Sequence, residues 1–318
     1  MPAVSIITPC FNSEGFVGQT IESVKRQTFP DWEQIIVDDG STDASRQVIA
    51  SQVKKESRCR LVSQSNRGVS AARNAGFRAS SEDSRYLLFL DADDSLEPEM
   101  LTVLVNYLED HPEVVLALSE YRFINTEGNF IEHSESKGRF IPRGLWVGEL
   151  PPDVSETPFV SVFNMCAIIP SISLIRRSIF EQTPGFDETF GHHHEDIDLI
   201  FHIALRSQIH YVPQPLVRRR CHPGQNTADS PRFRALAFEQ QRKLYSKWLS
   251  ASGLTDKERA LIREAWHFRQ GRLEPYWAFE SSRRFLNEGD FLKAGRYFLG
   301  GLKRYLFSFL PGAIKNEV

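Results

Sequence analysis

The chain has 318 residues, and its 38 Lys and Arg against 41 Asp and Glu give a formal net charge of −3 at pH 7. A chain of this length is expected to form about two domains, and hydrophobic and charged fractions of 41% and 25% are typical of a folded protein rather than a disordered one. Because no excess of positive charge exists to attract a polyanion, we expect no nucleic-acid partner.

The cysteines and the N-terminal sequence bear on the cellular compartment. Cys10, Cys59, Cys166 and Cys221 are widely spaced and form no CxxC pair, so we expect reduced thiols. The sequence MPAVSIITPCFNSEG has neither a basic segment nor a long apolar run, and no stretch of about 18 apolar residues follows it. We therefore expect a cytoplasmic protein, at most peripheral to the inner face of a membrane.

Short apolar runs alternate with helical patterns over the first 120 residues, which predicts an α/β fold with a mainly parallel sheet flanked by helices. Strands are predicted at 4–8, 34–37, 61–62, 86–90, 114–118, 171–176 and 209–219. Helices are predicted to end near Gln27, to begin near Gly68, to run from Pro98 to about Asp110, and to begin at Glu195.

The remaining segments divide the chain. Several prolines and a glycine interrupt residues 122–165, which predicts hairpins and loops there. We expect an α/β domain at 1–227 and a helical C-terminal region at 228–318, with breaks at Ser252-Gly253, Gly271 and Gly289.

Polar and acidic side chains follow three of the predicted strands. They are Thr8 after the first, Asp38 and Asp39 after the second, and Asp91, Asp93 and Asp94 after the most apolar one. The carboxyl ends of parallel strands lie at one sheet edge, so these groups should converge, and like charges there need a cation or a bound ligand to offset them. The Asp91-Ala92-Asp93 sequence suits Mg²⁺ or Mn²⁺. For Asp94 or Asp43 alone, helix capping is the competing interpretation.

Four motifs in order resemble those of glycosyltransferase family 2: SIITPCFN at 5–12, VDDGSTD at 37–43, NRGVSAARN at 66–74 and LDADD at 90–94. A later Glu195-Asp196 pair follows them, and the resemblance covers about residues 3–225. It implies a GT-A fold, a nucleotide-diphosphate sugar donor, a divalent metal and inversion at the anomeric carbon. On this basis residues 1–120 would form the nucleotide-sugar half of the catalytic domain and 121–227 the acceptor half.

The resemblance also assigns roles to individual residues. It implies nucleotide-sugar contacts from Thr8, Pro9, Phe11, Asn12, Asp38, Asp39, Arg67, Arg73, Asp91 and Ala92, and a metal held by Asp93 with Asp91 and His222. For Arg73, an ion pair with a neighbouring acid is an equal alternative.

Inversion needs one base on the face opposite the leaving group, which should come from a separate segment. The resemblance points to Asp196 as this base, with Glu195 supporting the acceptor or the metal. The choice between the two rests on the resemblance alone, and acids in a first helical turn are also favourable with the helix dipole.

Two histidine-containing segments have competing interpretations. His192, His193 and His194 are consecutive and cannot easily face one ion, so we expect loop histidines near the acceptor rather than a zinc site. Arg219, Arg220 and His222 could neutralise phosphate, or could belong to a solvated basic loop.

We interpret the sequence as a metal-dependent inverting glycosyltransferase that moves a sugar from a UDP-sugar or a related donor to a saccharide or lipid-linked acceptor, in surface-polysaccharide or glycolipid assembly. The alternative is a catalytically silent nucleotide-binding adaptor that uses its helical tail to bind proteins. A nucleotidyltransferase or a nicotinamide-dependent enzyme is disfavoured because the first turn lacks the glycine-rich loop. In the tail, residues 296–307 mix basic and aromatic residues as interfacial helices do, although packing in a core is the default expectation.

Overall fold

A computed structural model describes residues 1–131, 155–156, 170–190, 194–222, 240, 243–268, 274–287 and 289–307. These fall into two compact units, one containing the described residues up to 240 and the other those from 243 onward. The predicted boundary between residues 227 and 228 lies outside the described residues, so it stays a prediction.

The first unit contains a sheet and helices. Its strands are β1 (Val4–Cys10), β2 (Trp32–Asp39), β3 (Cys59–Gln64), β4 (Tyr86–Phe89), β5 (Ser95–Leu96), β6 (Val114–Ile124), β7 (Ser155–Glu156), β8 (Ser173–Arg176) and β9 (Gln208–Arg220). Its α-helices are α1 (Val17–Lys25), α2 (Ser45–Val53), α3 (Val69–Ala79), α4 (Met100–Asp110), α5 (Arg177–Phe180) and α6 (Glu195–Ala204), with 3-10 turns at Pro170–Ile172 and Glu188–Phe190.

The strand order is β3-β2-β1-β4-β8-β6-β9-β5, and β7 pairs with β9. Strands β1 to β4 are mutually parallel, as predicted from the alternation of strands and helices. Strand β8 then runs antiparallel to both β4 and β6, so the sheet as a whole is mixed. The α/β class with flanking helices is confirmed, and the antiparallel part is the departure from a mainly parallel sheet.

Helix α3 packs closely on the sheet because its facing side chains are small. Ala72 is fully buried against Ile35 and Val37. A Cβ added at Gly76 would lie 2.3 Å from Cγ2 of Ile7 and 3.1 Å from Cγ2 of Val37. Glycine at this position therefore sets the distance between α3 and the first two strands.

We predict that Gly76→Ala lowers the free energy of unfolding by about 1–3 kcal/mol, because the added methyl must displace a branched side chain of the sheet. Urea denaturation measures the change. Gly15→Ala is the matched control, since a Cβ there meets no atom within 4 Å, and its effect should stay within about 0.5 kcal/mol. Equal effects of the two substitutions would contradict the close approach.

The second unit is helical in its described part. It contains a helical stretch at 243–250 and helices α7 (Asp256–Phe268), α8 (Glu274–Asn287) and α9 (Phe291–Phe307). The breaks predicted at Ser252-Gly253 and Gly289 are confirmed, whereas Gly271 lies outside the described residues. None of the described helices combines the length and the apolar character needed to cross a bilayer.

Candidate active site

The carboxyl ends of the parallel strands bring the sequence motifs to one edge of the sheet. In the strand register, Cys10 at the end of β1 lies opposite Asp38, and Asp39 lies opposite Gln64. On the other side of β1, Ile7 lies opposite Phe89, the last residue of β4, so the acidic segment that begins at Asp91 emerges at the same edge.

Arg73 of α3 joins this edge to the start of α6. Its Nη2 donates to Oδ1 of Asp91 at 2.7 Å, and its Nη1 donates to Oε1 of Glu195 at 2.8 Å. The side chain is almost fully buried, and its guanidinium lies 5.1 Å from the ring centroid of Phe186. Burial alone would lower the pKa of Arg73, but the two carboxylates outweigh it and the pKa is raised. A permanent buried cation therefore links three segments of the chain.

The carboxylate of Asp91 titrates differently from a free one in spite of this ion pair. Its pKa is raised, chiefly because burial penalises the carboxylate; Arg73 opposes the shift and the nearby Asp93 adds to it. Arg73 therefore forms the ion pair that was the alternative to a nucleotide contact, and Asp91 is its partner in the acidic segment.

Asp196 follows Glu195 in the first turn of α6 but has different surroundings. It is half-buried, and one of its carboxylate oxygens accepts the N–H of Ile197 at 2.7 Å. Burial, followed by the neighbouring Glu195, raises the pKa of Asp196 to about 7, with Arg73 opposing. Within the described part of the chain Asp196 has no ion pair, and with this pKa its carboxyl can exchange a proton near neutral pH.

His222 and Asp93 lie together on the other side of the acidic segment. Nε2 of His222 is 3.1 Å from Oδ2 of Asp93, and both side chains are partly exposed. The imidazole also contacts the ring of Phe16, with the centroids 4.6 Å apart. His192 and His193 lie outside the described residues, and the described ranges contain no group of three or more side chains able to hold a metal.

Arg220 is structural, in contrast to the phosphate-neutralising role considered for it. Its side chain is 1% exposed. It donates to the carbonyl oxygens of Asp93, Asn125 and Thr126 and to Oε1 of Gln19, at 2.8–3.0 Å. Through these bonds Arg220 links the acidic segment to α1. Its guanidinium is therefore enclosed by protein groups and does not lie open at the sheet edge.

Several predicted nucleotide contacts are engaged inside the protein. Asp39 accepts the Nε2–H of Gln64 at 2.7 Å and the backbone N–H groups of Arg67 and Gly68 at 2.9 Å each. Asp38 accepts the N–H of Ser41 at 3.1 Å and is buried. These carboxylates fix the two loops that enclose the edge, and their contact with a nucleotide stays a prediction.

The first-strand motif divides between buried and exposed members. Thr8 is fully buried and accepts the Nε2–H of Gln34 at 3.0 Å, and Pro9 is also buried. Phe11 and Asn12 are exposed beyond the strand. Ala92 is buried, and its carbonyl oxygen accepts the hydroxyl of Thr20 at 2.8 Å.

Two asparagines anchor loops in a way that the sequence did not predict: Asn12, which was predicted only as a nucleotide contact, and Asn74, which was not singled out. Asn12 has a positive φ of 49°, and its Oδ1 accepts the N–H of Thr42 at 2.8 Å, which ties the first loop to the second. Asn74 donates from Nδ2 to the carbonyl oxygen of Phe186 at 2.8 Å and accepts the N–H of the same residue at 3.0 Å. Both asparagines lie within the quoted motifs, but nothing local indicates which distant backbone they bind.

We predict that Arg73→Ala lowers the free energy of unfolding by about 3–5 kcal/mol, because it leaves the buried Glu195 and the partly buried Asp91 without their cation. The loss should be smaller at acidic than at neutral pH, since protonation removes the buried charges. Arg67→Ala is the control: its ion pair with Glu188 is exposed, so the loss should be below about 1 kcal/mol. Chemical denaturation at two pH values tests both, and a pH-independent loss for Arg73→Ala would contradict the argument.

Solved structures share this fold at low sequence identity. A crystal structure of S. aureus TarS, residues 1–349, in complex with UDP-GlcNAc superposes with a TM-score of 0.63 at 17% identity, covering 98% of this chain and 82% of that one. A mannosyltransferase from Pyrobaculum calidifontis in complex with GDP-Man and Mn²⁺ gives a TM-score of 0.61 at 16% identity, covering 99% of this chain and 78% of that one. The architecture is therefore the GT-A fold.

The chain covers only part of the length of two curated relatives that it matches. An uncharacterized glycosyltransferase of Rickettsia felis is 28% identical over 72% of this chain and 34% of its own length, and the uncharacterized glycosyltransferase EpsJ of Bacillus subtilis is 35% identical over 50% and 46%. The chain thus spans a third to a half of these relatives. Residues 5–183, more than half of the chain, match the family described as Glycosyl transferase family 2, and the chain belongs to that family.

Proposed function

We propose that this chain transfers a sugar, with inversion, from a nucleoside-diphosphate-sugar donor to a hydroxyl group of a saccharide or lipid-linked acceptor. The observation that carries the proposal is the pair of carboxyls at the start of α6: Glu195 is bound by Arg73, whereas the pKa of Asp196 is raised to about 7. Membership of a transferase family supports the reaction class. A role in surface-polysaccharide or glycolipid assembly is part of the same proposal.

Asp196 is the proposed general base. In the reaction the acceptor oxygen forms the new bond to the anomeric carbon, the bond to the diphosphate oxygen breaks, and the hydroxyl proton passes to a carboxylate oxygen of Asp196. A base with a pKa near the working pH is both available in its charged form and basic enough to accept that proton. Glu195, held by Arg73, positions the turn that carries Asp196.

The donor is proposed to bind at the edge where β1, β2 and β4 end. Phe11 and Arg67 are exposed there, as stacking on a base and neutralising a phosphate require. UDP is the nucleotide we propose, and the neighbouring folds, solved with UDP-GlcNAc and with GDP-Man, support a nucleoside-diphosphate sugar as the donor class.

Asp93 and His222 fit a divalent cation. A carboxylate oxygen and an imidazole nitrogen 3.1 Å apart, both partly exposed, are a ligand pair that suits Mn²⁺, and Mg²⁺ would rely more on Asp93. Arg73 binds one carboxylate oxygen of Asp91, so the other oxygen could join Asp93 in binding the cation. When bound, the cation would stabilise the negative charge of the leaving diphosphate.

We predict that Asp196→Asn lowers kcat by about 10²–10⁴-fold while UDP binding is retained, because the amide cannot take the acceptor proton. Glu195→Gln should lose less, since its amide oxygen can still accept from Arg73. Wild-type kcat/KM should rise with pH through about 7 and level off above it, as Asp196 becomes charged, and this limb should be lost in Asp196→Asn. A larger loss in Glu195→Gln than in Asp196→Asn would instead assign the base to Glu195.

We predict that a thermal-shift panel of nucleotides identifies UDP or a UDP-sugar as the stabilising ligand, with a larger shift in the presence of Mn²⁺. Asp93→Asn should remove the Mn²⁺-dependent part and abolish metal-dependent donor turnover. The control is Asp83→Asn, a carboxylate on an exposed loop. Metal-dependent turnover at the wild-type rate in Asp93→Asn would rule out the metal assignment, and tight nucleotide binding without turnover in the wild type would favour the adaptor.

A further inference from the structure

Helix α9 has a one-sided charge composition. Its 17 residues, Phe291–Phe307, include four basic residues and no acidic one. The basic residues are Lys293, Arg296, Lys303 and Arg304. The whole chain, by contrast, has a small net negative charge.

One face of α9 is committed to packing on α8. A Cβ at Gly301 would lie 2.9 Å from Cβ of Ala278 and 3.2 Å from the carbonyl oxygen of Pro275, so the two helices are in direct contact there. About two turns earlier in α9, the carbonyl oxygen of Ala294 accepts a hydrogen bond from the hydroxyl of Ser282 in α8 at 2.8 Å. Ala294 and Gly301 are both buried, and they define the inward face of α9.

The adjacent face of α9 is apolar and exposed, which differs from the core packing expected by default. The apolar stripe consists of Phe291 (73% exposed), Leu292 (85%), Phe298 (49%), Leu299 (65%) and Leu302 (36%). At about 100° per residue these side chains occupy roughly a third of the helix circumference, next to the inward face. Single exposed apolar residues are common, but five on one face of one helix mark an interaction surface.

Basic side chains border the apolar stripe on its other side. Arg296 and Lys303 are exposed and lie at the helical angles that follow Leu292 and Leu299 around the circumference. Apolar residues next to a basic border are the arrangement of helices that lie in a membrane interface, with the apolar face among acyl chains and the cations at anionic headgroups.

We infer that the apolar stripe of α9 binds the surface of an anionic lipid bilayer, with Arg296 and Lys303 at the headgroups. A second copy of this chain is a poorer occupant, because two such faces would bring two basic borders together. Anionic lipid is complementary to both features at once. The inference concerns the second unit alone and does not depend on the proposed transfer reaction.

The test is flotation of the full chain with vesicles of phosphatidylcholine alone and of phosphatidylcholine with phosphatidylglycerol, at low and high salt. We expect binding to the phosphatidylglycerol vesicles, weakened by high salt. Leu292→Ser/Leu299→Ser removes apolar area that would lie among the acyl chains, and Arg296→Glu/Lys303→Glu replaces attraction to the headgroups with repulsion. Each should lower the partition coefficient by at least about tenfold.

The control variant changes charge at a site outside α9. Lys54→Glu/Lys55→Glu makes the same charge change at exposed positions of the first unit and should leave binding unchanged, and circular dichroism checks that each variant folds. Equal binding to both vesicle types, no binding by the wild type, or unchanged binding by the stripe variants would each overturn the inference. A wild-type dimer that Leu292→Ser/Leu299→Ser converts to a monomer, without lipid binding, would assign the apolar stripe to a second copy instead.

Discussion

The buried guanidinium of Arg73 is the constraint on which the candidate site depends. A cation removed from water must be paired, and the planar fork of an arginine can hold two carboxylates at once. Asp91 and Glu195 satisfy that requirement at 2.7 and 2.8 Å, so the end of β4 and the start of α6 must both meet α3. Helix α3 is itself fixed on the sheet by the close contact at Gly76. The start of α3 is held by Asp39, whose carboxylate accepts the backbone N–H groups of the two residues just before the helix. One ion pair network thus sets the distance between the donor-side motifs and the proposed base.

The three aspartates after β4 are held in three different ways. Asp91 faces a guanidinium and Asp93 faces an imidazole. Asp94 is buried and accepts the backbone N–H of Arg220 at 3.1 Å, and its pKa is raised well above the usual value, first by burial and then by the charges of Asp93 and Asp91. Repulsion among the three carboxylates therefore adds to the effect of burial at Asp94. Of the three aspartates, Asp93 is the one beside a histidine, His222, that could bind the same metal ion. We therefore propose the cation site at Asp93.

Much of the fold, and less of the site, could be predicted from the sequence. Apolar runs located β1, β2 and β4 to within about two residues, and the 3.6-residue period placed Glu195 and Asp196 in the first turn of a helix. The antiparallel insertion of β8 beside β4 joins segments distant in sequence, and no local pattern encodes that pairing. Arg220 belongs to a basic run typical of a solvated loop, and its burial depends on carbonyl groups supplied by a distant turn. Predictions therefore succeeded where periodicity decides and failed where a side chain chooses a remote partner.

The same limit explains why the choice of Asp196 over Glu195 as the base rested on the family resemblance and not on residue spacing. Glu195 and Asp196 are chemically alike and adjacent, but consecutive residues of a helix point about 100° apart, so only one of them meets Arg73. The helix dipole favours the charged form of an acid in the first turn and would lower its pKa. The pKa of Asp196 is nevertheless raised to about 7, because burial and the charge of Glu195 outweigh Arg73 and the hydrogen bond from the N–H of Ile197. Two neighbouring acids with different surroundings, one bound to a cation and one able to take up a proton, are the arrangement from which separate positioning and proton-transfer roles follow.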